Sequence, residues 1–364
     1  MIYIQLNLRD SNAVKQALAQ AQKVLEAGGL VIYPTETVYG IGADAQSAPA
    51  IDKLLAYKGR REGKPLSIAV DSKQMADQYV LINQQAREFY NHFLPGPYTV
   101  ISKSKNMVDQ RVESEFGTLG IRIPDYPLIL DLVRNFGRAI TSTSANASGE
   151  KRPYSVTDIL DRLSDKQKSL IDLIIDVGTL PKNEPSVVID TTLSTPIALR
   201  GQMQHQSAGK QQIVLSISEA ETMGLAGRLL LNHWTQVIDQ GLVIALNGEL
   251  GMGKTVFTKG VAKFLQIKEV VSSPTYSYMN EYNFSRGQTS GVLYHVDAWK
   301  IDHPDEVALL QLGELLRPNN IIVIEWFDQI SQWLKLPSKT KVLRLDFVQD
   351  LNGRSINVSH NSIS

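Results

Sequence analysis

Leu242-Val-Ile-Ala-Leu-Asn-Gly-Glu-Leu-Gly-Met-Gly-Lys-Thr255 decides how the rear of this chain folds. The five apolar residues at 242–246 read as a strand buried on both faces. Residues 248–255 then match G-x-x-x-x-G-K-[ST] in full, and 254–265 continue with helical periodicity. A buried strand feeding a glycine turn and a helix gathers backbone N–H groups and the positive helix end around one point, which suits phosphate. On that reading Glu249, Gly251 and Gly253 belong to a nucleotide-binding loop. Lys254 reaches the β- and γ-phosphates, and the Thr255 hydroxyl is a ligand for Mg²⁺. A glycine turn without phosphate is the competing structural reading.

Such a loop needs an acidic partner for the metal and the attacking water. Ile321-Ile-Val-Ile-Glu325 is a short apolar strand ending in a carboxylate. Tyr294-His-Val-Asp297 ends another strand, with His295 and Asp297 on one face by the period of two. Ser272-Ser-Pro-Thr275, between the helix and that strand, is a hydroxyl-rich loop placed to sense a γ-phosphate. The competing reading of either acid, taken alone, is a solvated strand end.

Taken in order, Gly248 to Thr255, Ser273-Pro-Thr275, His295-x-Asp297 and Ile324-Glu-Trp326 resemble the TsaE family of small bacterial ATPases, over about residues 213–348. The resemblance implies ATP as substrate, Lys254 on phosphates, and Thr255 with Glu325 on Mg²⁺. It also places Thr275 in a switch-like loop, makes Asp297 assist hydrolysis and sets Trp326 beside the nucleotide. The family supports tRNA threonylcarbamoylation together with the TsaB–TsaD complex, so contact with tRNA is expected to be indirect. The chain departs from the family's usual tyrosine-arginine ending at His295-Val-Asp-Ala-Trp-Lys300, and carries Asp328 where glutamate is common.

Upstream, residues 201–212 are polar, glutamine-rich and without either period, which marks a joint. The expected domains are 1–201, a linker at 202–212, and 213–364. The front part reads as mixed α and β. A helix at 13–27 has Ala17, Leu18, Ala21, Val24 and Leu25 on one face, and a buried strand follows at 30–33. Further strands fit 66–70, 98–102, 119–123, 139–142, 173–176 and 186–190, with helices at 50–57, 84–93, 127–136 and 156–162. In the rear part a helix fits 219–234, and strands fit 291–296 and 341–347.

Three front segments are densely polar for their position. Tyr33-Pro-Thr-Glu-Thr-Val-Tyr-Gly-Ile-Gly42 leaves a strand, where α/β folds bind ligands at the carboxyl edge. Residues 58–64 hold Lys58, Arg60, Arg61 and Lys64, and Thr141-Ser-Thr-Ser-Ala-Asn-Ala-Ser-Gly149 is a run of hydroxyls with one amide. Cations of this kind clamp phosphates, and hydroxyl and amide groups bind ribose, base or a polar acid. A solvated basic loop and a self-bonded turn explain the last two equally well.

Together the three resemble the YrdC/Sua5/TsaC family, through Pro34-Thr-Glu-Thr-Val-Tyr-Gly40, Lys58-x-Arg60 with Lys64-Pro-Leu66, and Ser144-x-Asn146. Gly120-Ile-Arg122, Pro185-Ser-Val-Val-Ile-Asp190 and Leu199-Arg200-Gly201 fall where later motifs do. Coverage is about residues 12–201, and Arg61 stands where proline is usual. The resemblance implies a twisted, open mixed sheet and synthesis of L-threonylcarbamoyladenylate from L-threonine, bicarbonate and ATP, releasing pyrophosphate. Lys58, Arg60 and Lys64 would then neutralise phosphate charge. Arg122 would pair with the threonine carboxylate, Thr35 and Ser142 would contact the amino acid, and Ser186 would lie near it or its carbamate. Thr118, Ser144, Asn146 and Arg200 would contact the nucleotide.

Composition fits an α/β enzyme of two domains, the front YrdC-like and the rear P-loop NTPase-like: 364 residues, 43% hydrophobic, 20% charged. Cys is absent, excluding thiolate metal sites and Cys nucleophiles. No apolar run approaches the roughly 18 residues of a membrane span, and no basic-then-apolar leader opens the sequence, so a cytoplasmic enzyme with no membrane partner is expected. Lys plus Arg and Asp plus Glu are 37 each, with 23 basic and 22 acidic residues before 207. That balance argues against the main rival, an RNA-binding regulator with a P-loop switch. A small-molecule kinase is a second rival. It lacks lid arginines, since Arg286 is the only Arg between 228 and 317.

Overall fold

A computed structural model describes residues 1–59, 65–146, 151–200, 212–274, 277–338, 340–351 and 353–362, with the side chains of 200 and 360–362 outside the description. Arg60, Lys64, Thr275, the Arg200 side chain and residues 202–211 of the expected linker therefore lie outside the described residues. The chain divides into two compact units, Met1–Thr192 with Ala198–Gln204, and Leu193–Ile197 with His205–Ser364. Among the described residues no helix is long and apolar enough to cross a membrane.

The front unit is a mixed sheet with helices. Across it run Ile2–Gln5, Leu173–Asp176, Val31–Tyr33, Gly40–Gly42, Ile140–Ser144, Ser67–Ala69, Thr118–Arg122, Tyr98–Ser104, Val187–Asp190 and Ile197–Arg200. Helix Ser11–Glu26 starts where the Asp10 side chain accepts from the N–H groups of Asn12 and Ala13, a cap that fills two orphan donors. The five residues expected on its inner face are the ones it buries. Helix Pro127–Phe136 opens on proline and stops at left-handed Gly137.

Strand alternation divides the sheet's chemistry between its two faces. Ile68, Val100, Leu119, Ile121 and Ile189 all enter one buried apolar cluster. Their neighbours Ser67, Thr99, Thr118, Gly120, Arg122 and Val188 point the other way and line a cavity. The pocket therefore sits on a sheet face, rather than at the carboxyl edge that the Tyr33-to-Gly42 loop suggests.

The rear unit is a seven-stranded sheet among the described residues, in the order Gln212–Ser216, Gly353–Ser362, Lys341–Asp350, Leu242–Asn247, Ile321–Glu325, Thr289–Asp297, Met279–Arg286. The central four strands are parallel and the flanking pairs antiparallel. Leu242–Asn247 is wholly buried, and helix Lys254–Phe264 follows the glycine turn, as a phosphate loop requires. Gln212, placed in the linker by its composition, is already the first residue of an edge strand.

Candidate functional sites

The front cavity has a volume of about 440 Å³. Six residues singled out by the sequence line it: Thr118, Arg122, Ser142, Ser144, Asn146 and Ser186. Two strands, Thr118–Arg122 and Ile140–Ser144, the loop after the second and the residue before Val187–Asp190 bring them together, from positions up to 68 residues apart in the case of Thr118 and Ser186. Small hydroxyl residues on a sheet face leave space between strands, so the wall is both polar and open.

Arg122 is 7% exposed. Its Nη2 donates to Glu36 Oε1 at 2.8 Å and lies 3.5 Å from Thr37 Oγ1. Arg122 Nε and Glu36 Oε2 are buried without a partner among the described residues. A guanidinium in a cavity wall is suited to a second carboxylate, because its planar fork carries five donors. Thr99 Oγ1 and Ser186 Oγ stand 3.3 Å apart beside it, and Thr118 Oγ1 is 2.7 Å from Ser114 Oγ. Tyr33 lies beneath, its phenol pushed up to about 12 by burial.

Two expected contacts stand elsewhere. Thr35 is not on the cavity wall. Its hydroxyl donates to Val38 O at 2.6 Å and accepts from the N–H groups of Thr37 and Val38, closing its own turn. Lys58 is not on the wall either, and donates from Nζ to Ser144 O at 2.9 Å and Asn146 O at 2.7 Å. It ties down the hydroxyl-amide strand end with its charge. Sequence reasoning assigned no role to Thr37, Ser67, Thr99 or Arg152, which all line the cavity. Arg152 is half exposed and paired with Glu184 at 3.3 Å.

In the rear unit the phosphate loop is formed and filled by its own lysine. Lys254 is 4% exposed, and its Nζ donates to Gly248 O at 2.7 Å and Glu249 O at 2.8 Å. The same ammonium lies 3.8 Å from the Trp326 ring centroid. Burial lowers its pKa, and the nearby Glu325 and Asp297 partly offset that. Trp326 holds a left-handed backbone with φ 61°, a strained state for a large residue. Its ring lies 4.3 Å from that of Trp299, centroid to centroid and tilted by 46°, and the sequence reading had assigned Trp299 no site role.

Thr255 Oγ1 stands 3.1 Å from Glu325 Oε2 and 3.1 Å from Ser273 Oγ. Asp297 lies opposite Glu325 in register, and burial first, then Glu325's charge, raises its pKa. A small cavity of about 210 Å³ opens here, lined by Ser273, Pro274, Tyr278, Asp297, Trp299 and Lys300. A hydroxyl beside two carboxylates is a donor set for a hard cation such as Mg²⁺, which keeps most of its shell for water and phosphate. Arg354 was also missed by the sequence reading. Its guanidinium packs over Gly253 and its Nη1 is 3.4 Å from Met252 O.

The model of the Sua5_yciO_yrdC family, described as telomere recombination, matches residues 23–201. That of TsaE, described as threonylcarbamoyl adenosine biosynthesis protein, matches residues 197–356. The threonylcarbamoyl-AMP synthase of Vibrio vulnificus is 35% identical over 176 residues, covering 48% of this chain and 92% of that protein. The threonylcarbamoyl-AMP synthase of Bacillus subtilis is 34% identical over 185 residues, covering 50% of this chain but only 52% of the relative. Among solved structures, a Sua5 variant from P. abyssi aligns over 89% of this chain and 91% of its own, with TM-score 0.50 and 23% identity, a likeness of fold.

Proposed function

The chain belongs to the Sua5/YciO/YrdC family with a TsaE unit in tandem, and from that premise we propose that it is a bifunctional protein of tRNA threonylcarbamoyladenosine synthesis. The front unit condenses L-threonine, bicarbonate and ATP to L-threonylcarbamoyladenylate, releasing pyrophosphate and water. The rear unit hydrolyses a second ATP to ADP and phosphate. Transfer of the threonylcarbamoyl group to tRNA falls to separate TsaB–TsaD partners, all in the cytoplasm.

One observation carries this reading: six residues chosen from sequence motifs meet on the wall of a single 440 Å³ cavity. Arg122 holds the threonine carboxylate, with Ser142 and Ser186 beside the amino acid. The amine takes up CO₂ as a carbamate. A carbamate oxygen attacks the α-phosphorus, and the bond to the β-phosphate oxygen breaks. No covalent nucleophile is needed, so the protein's work is positioning and charge neutralisation. Thr118, Ser144 and Asn146 orient the nucleotide. Lys58 fixes the Ser144 and Asn146 carbonyls in place, while Arg60 and Lys64 add phosphate charge, and Arg200 contacts the nucleotide.

In the rear unit Lys254 exchanges its two loop carbonyls for phosphate oxygens. Glu249, Gly251 and Gly253 cradle the nucleotide, and Thr275 follows the γ-phosphate. Thr255 and Glu325 would hold Mg²⁺, which would supply charge neutralisation for the phosphates when bound. Asp297, its pKa raised, is placed to orient the attacking water and take its proton.

The test incubates the full chain with threonine, bicarbonate and ATP and follows pyrophosphate and ADP separately. Pyrophosphate that depends on both threonine and bicarbonate is expected. ADP alone, or no turnover, removes the synthase assignment.

A further inference from the structure

One residue of a buried polar cluster in the rear unit, His295, has no part in the proposed chemistry. His295 is fully buried, two residues before Asp297 on the same strand. Its own register partner is Val323, yet its Nε2 reaches along the sheet to Glu325 Oε1 at 2.8 Å. Thr258 Oγ1 approaches the same Oε1 at 3.4 Å. The other oxygen, Oε2, faces Thr255 at 3.1 Å instead. An ionised carboxylate only accepts hydrogen bonds, so Nε2 carries the proton of the His295 bond. His295 Nδ1 is buried and without a partner among the described residues. The core thus leaves a ring nitrogen unfilled where it holds this ring in this orientation.

The geometry points to His295 as a positioning residue for a divalent cation: by holding Glu325 Oε1 in the core, it leaves Oε2 alone to join the Thr255 hydroxyl at the metal. The proposal rests on the ATPase reading of the rear unit and adds to it which oxygen of Glu325 binds and what sets the cation's affinity. A ligand carboxylate free to rotate would present either oxygen, and would lose the preformed pairing with Thr255. Partners one shell behind a metal ligand typically contribute about 10–100-fold in metal affinity.

The experiment uses the full chain and ADP carrying a fluorescent ribose label. Nucleotide affinity is measured in EDTA, and Mg²⁺ is then titrated to find the concentration giving half of the metal-dependent change. His295→Ala is expected to raise that concentration by about 10–100-fold and to leave affinity in EDTA within about twofold. His295→Gln, whose amide can donate to Oε1, should recover most of the loss and guards against a folding defect in the alanine variant. An unchanged Mg²⁺ midpoint in His295→Ala overturns the proposal. So does an equal loss in EDTA with no recovery in His295→Gln, which marks a structural role. A wild-type chain that binds the nucleotide with no response to Mg²⁺ overturns the ATPase reading as well, and shows it before any variant is made.

Discussion

Arg122 is bound through Nη2 to Glu36 and lines the cavity where a second carboxylate would sit. A charged hydrogen bond of this kind contributes about 1.5–3 kcal/mol, so Arg122→Ala should raise the threonine KM by roughly 10–100-fold. Its ATP KM should stay within about twofold, and steady-state pyrophosphate release resolves the two. Equal increases in both would remove the carboxylate assignment. Asp297 makes a different kind of prediction. Burial and Glu325 raise its pKa, so ionising it costs folding free energy, and the cost grows as pH climbs past the ordinary carboxylate range. Asp297→Asn should therefore unfold at a higher temperature than wild type at pH 7 without nucleotide, and show no such gain at a pH below that range. A gain of the same size at both pH values would contradict the sign. At this scale the sequence displays which groups are polar, but not where they turn. Thr35 and Thr37 are two hydroxyls two residues apart in one motif. Only the turn that Thr35 closes on itself sends Thr37 to the cavity. Glu36 sits between them, and its partner is 86 residues away, a contact that no local pattern encodes.

The phosphate loop shows how tightly one element constrains its residues. Gly248 has φ 133°, and a Cβ there would stand 2.5 Å from Phe347 O. Gly253 has φ 97°, and its Cβ would fall 1.9 Å from Arg354 Nη1. Backbone in that region costs a non-glycine residue about 1–3 kcal/mol before any collision. Gly253→Ala should consequently weaken ATP binding to the rear unit at least about tenfold, measured by calorimetry with Mg²⁺ present. Binding within twofold of wild type would mean that Arg354 moves freely and that the loop tolerates a side chain. Elements with a continuous apolar run were readable: Ile321–Glu325 and Pro127–Phe136 have the boundaries that the pattern gave. Strands Met279–Arg286 and Gly353–Ser362 were not. The first is flanked on one side only and buries just Tyr282 and Phe284. The second pairs on both sides, but its sequence GRSINVSHNS has little apolar content to betray it. The helix expected to stop at 234 runs to Gln240, because Val237 continues the buried face until Gly241 ends it.

At the scale of the molecule, there are two sheets with separate apolar cores, and the proposed function gives them two chemistries on the same cosubstrate. The front reading breaks ATP between its α- and β-phosphates, and the rear reading between β and γ. Neither strand pattern nor composition could reveal this pairing, since fold class does not fix reaction. It emerges only because each half carries its own ordered set of polar motifs. Net charge constrains the rest: a neutral chain releases few counterions from RNA, so direct tRNA binding should be weak and lost with modest salt. If the two pockets act separately, Lys254→Ala removes the lysine held at the phosphate loop while leaving the front wall intact. That variant should keep threonine-dependent pyrophosphate release within about twofold and lose ADP formation by at least about 100-fold, a range set by the loss of several kcal/mol of phosphate charge stabilisation. Ser144→Ala should show the converse pattern. Parallel loss of both products in the Lys254 variant would mean that one pocket performs both cleavages or that the front reaction requires the rear nucleotide, and the assignment of two independent chemistries would fall.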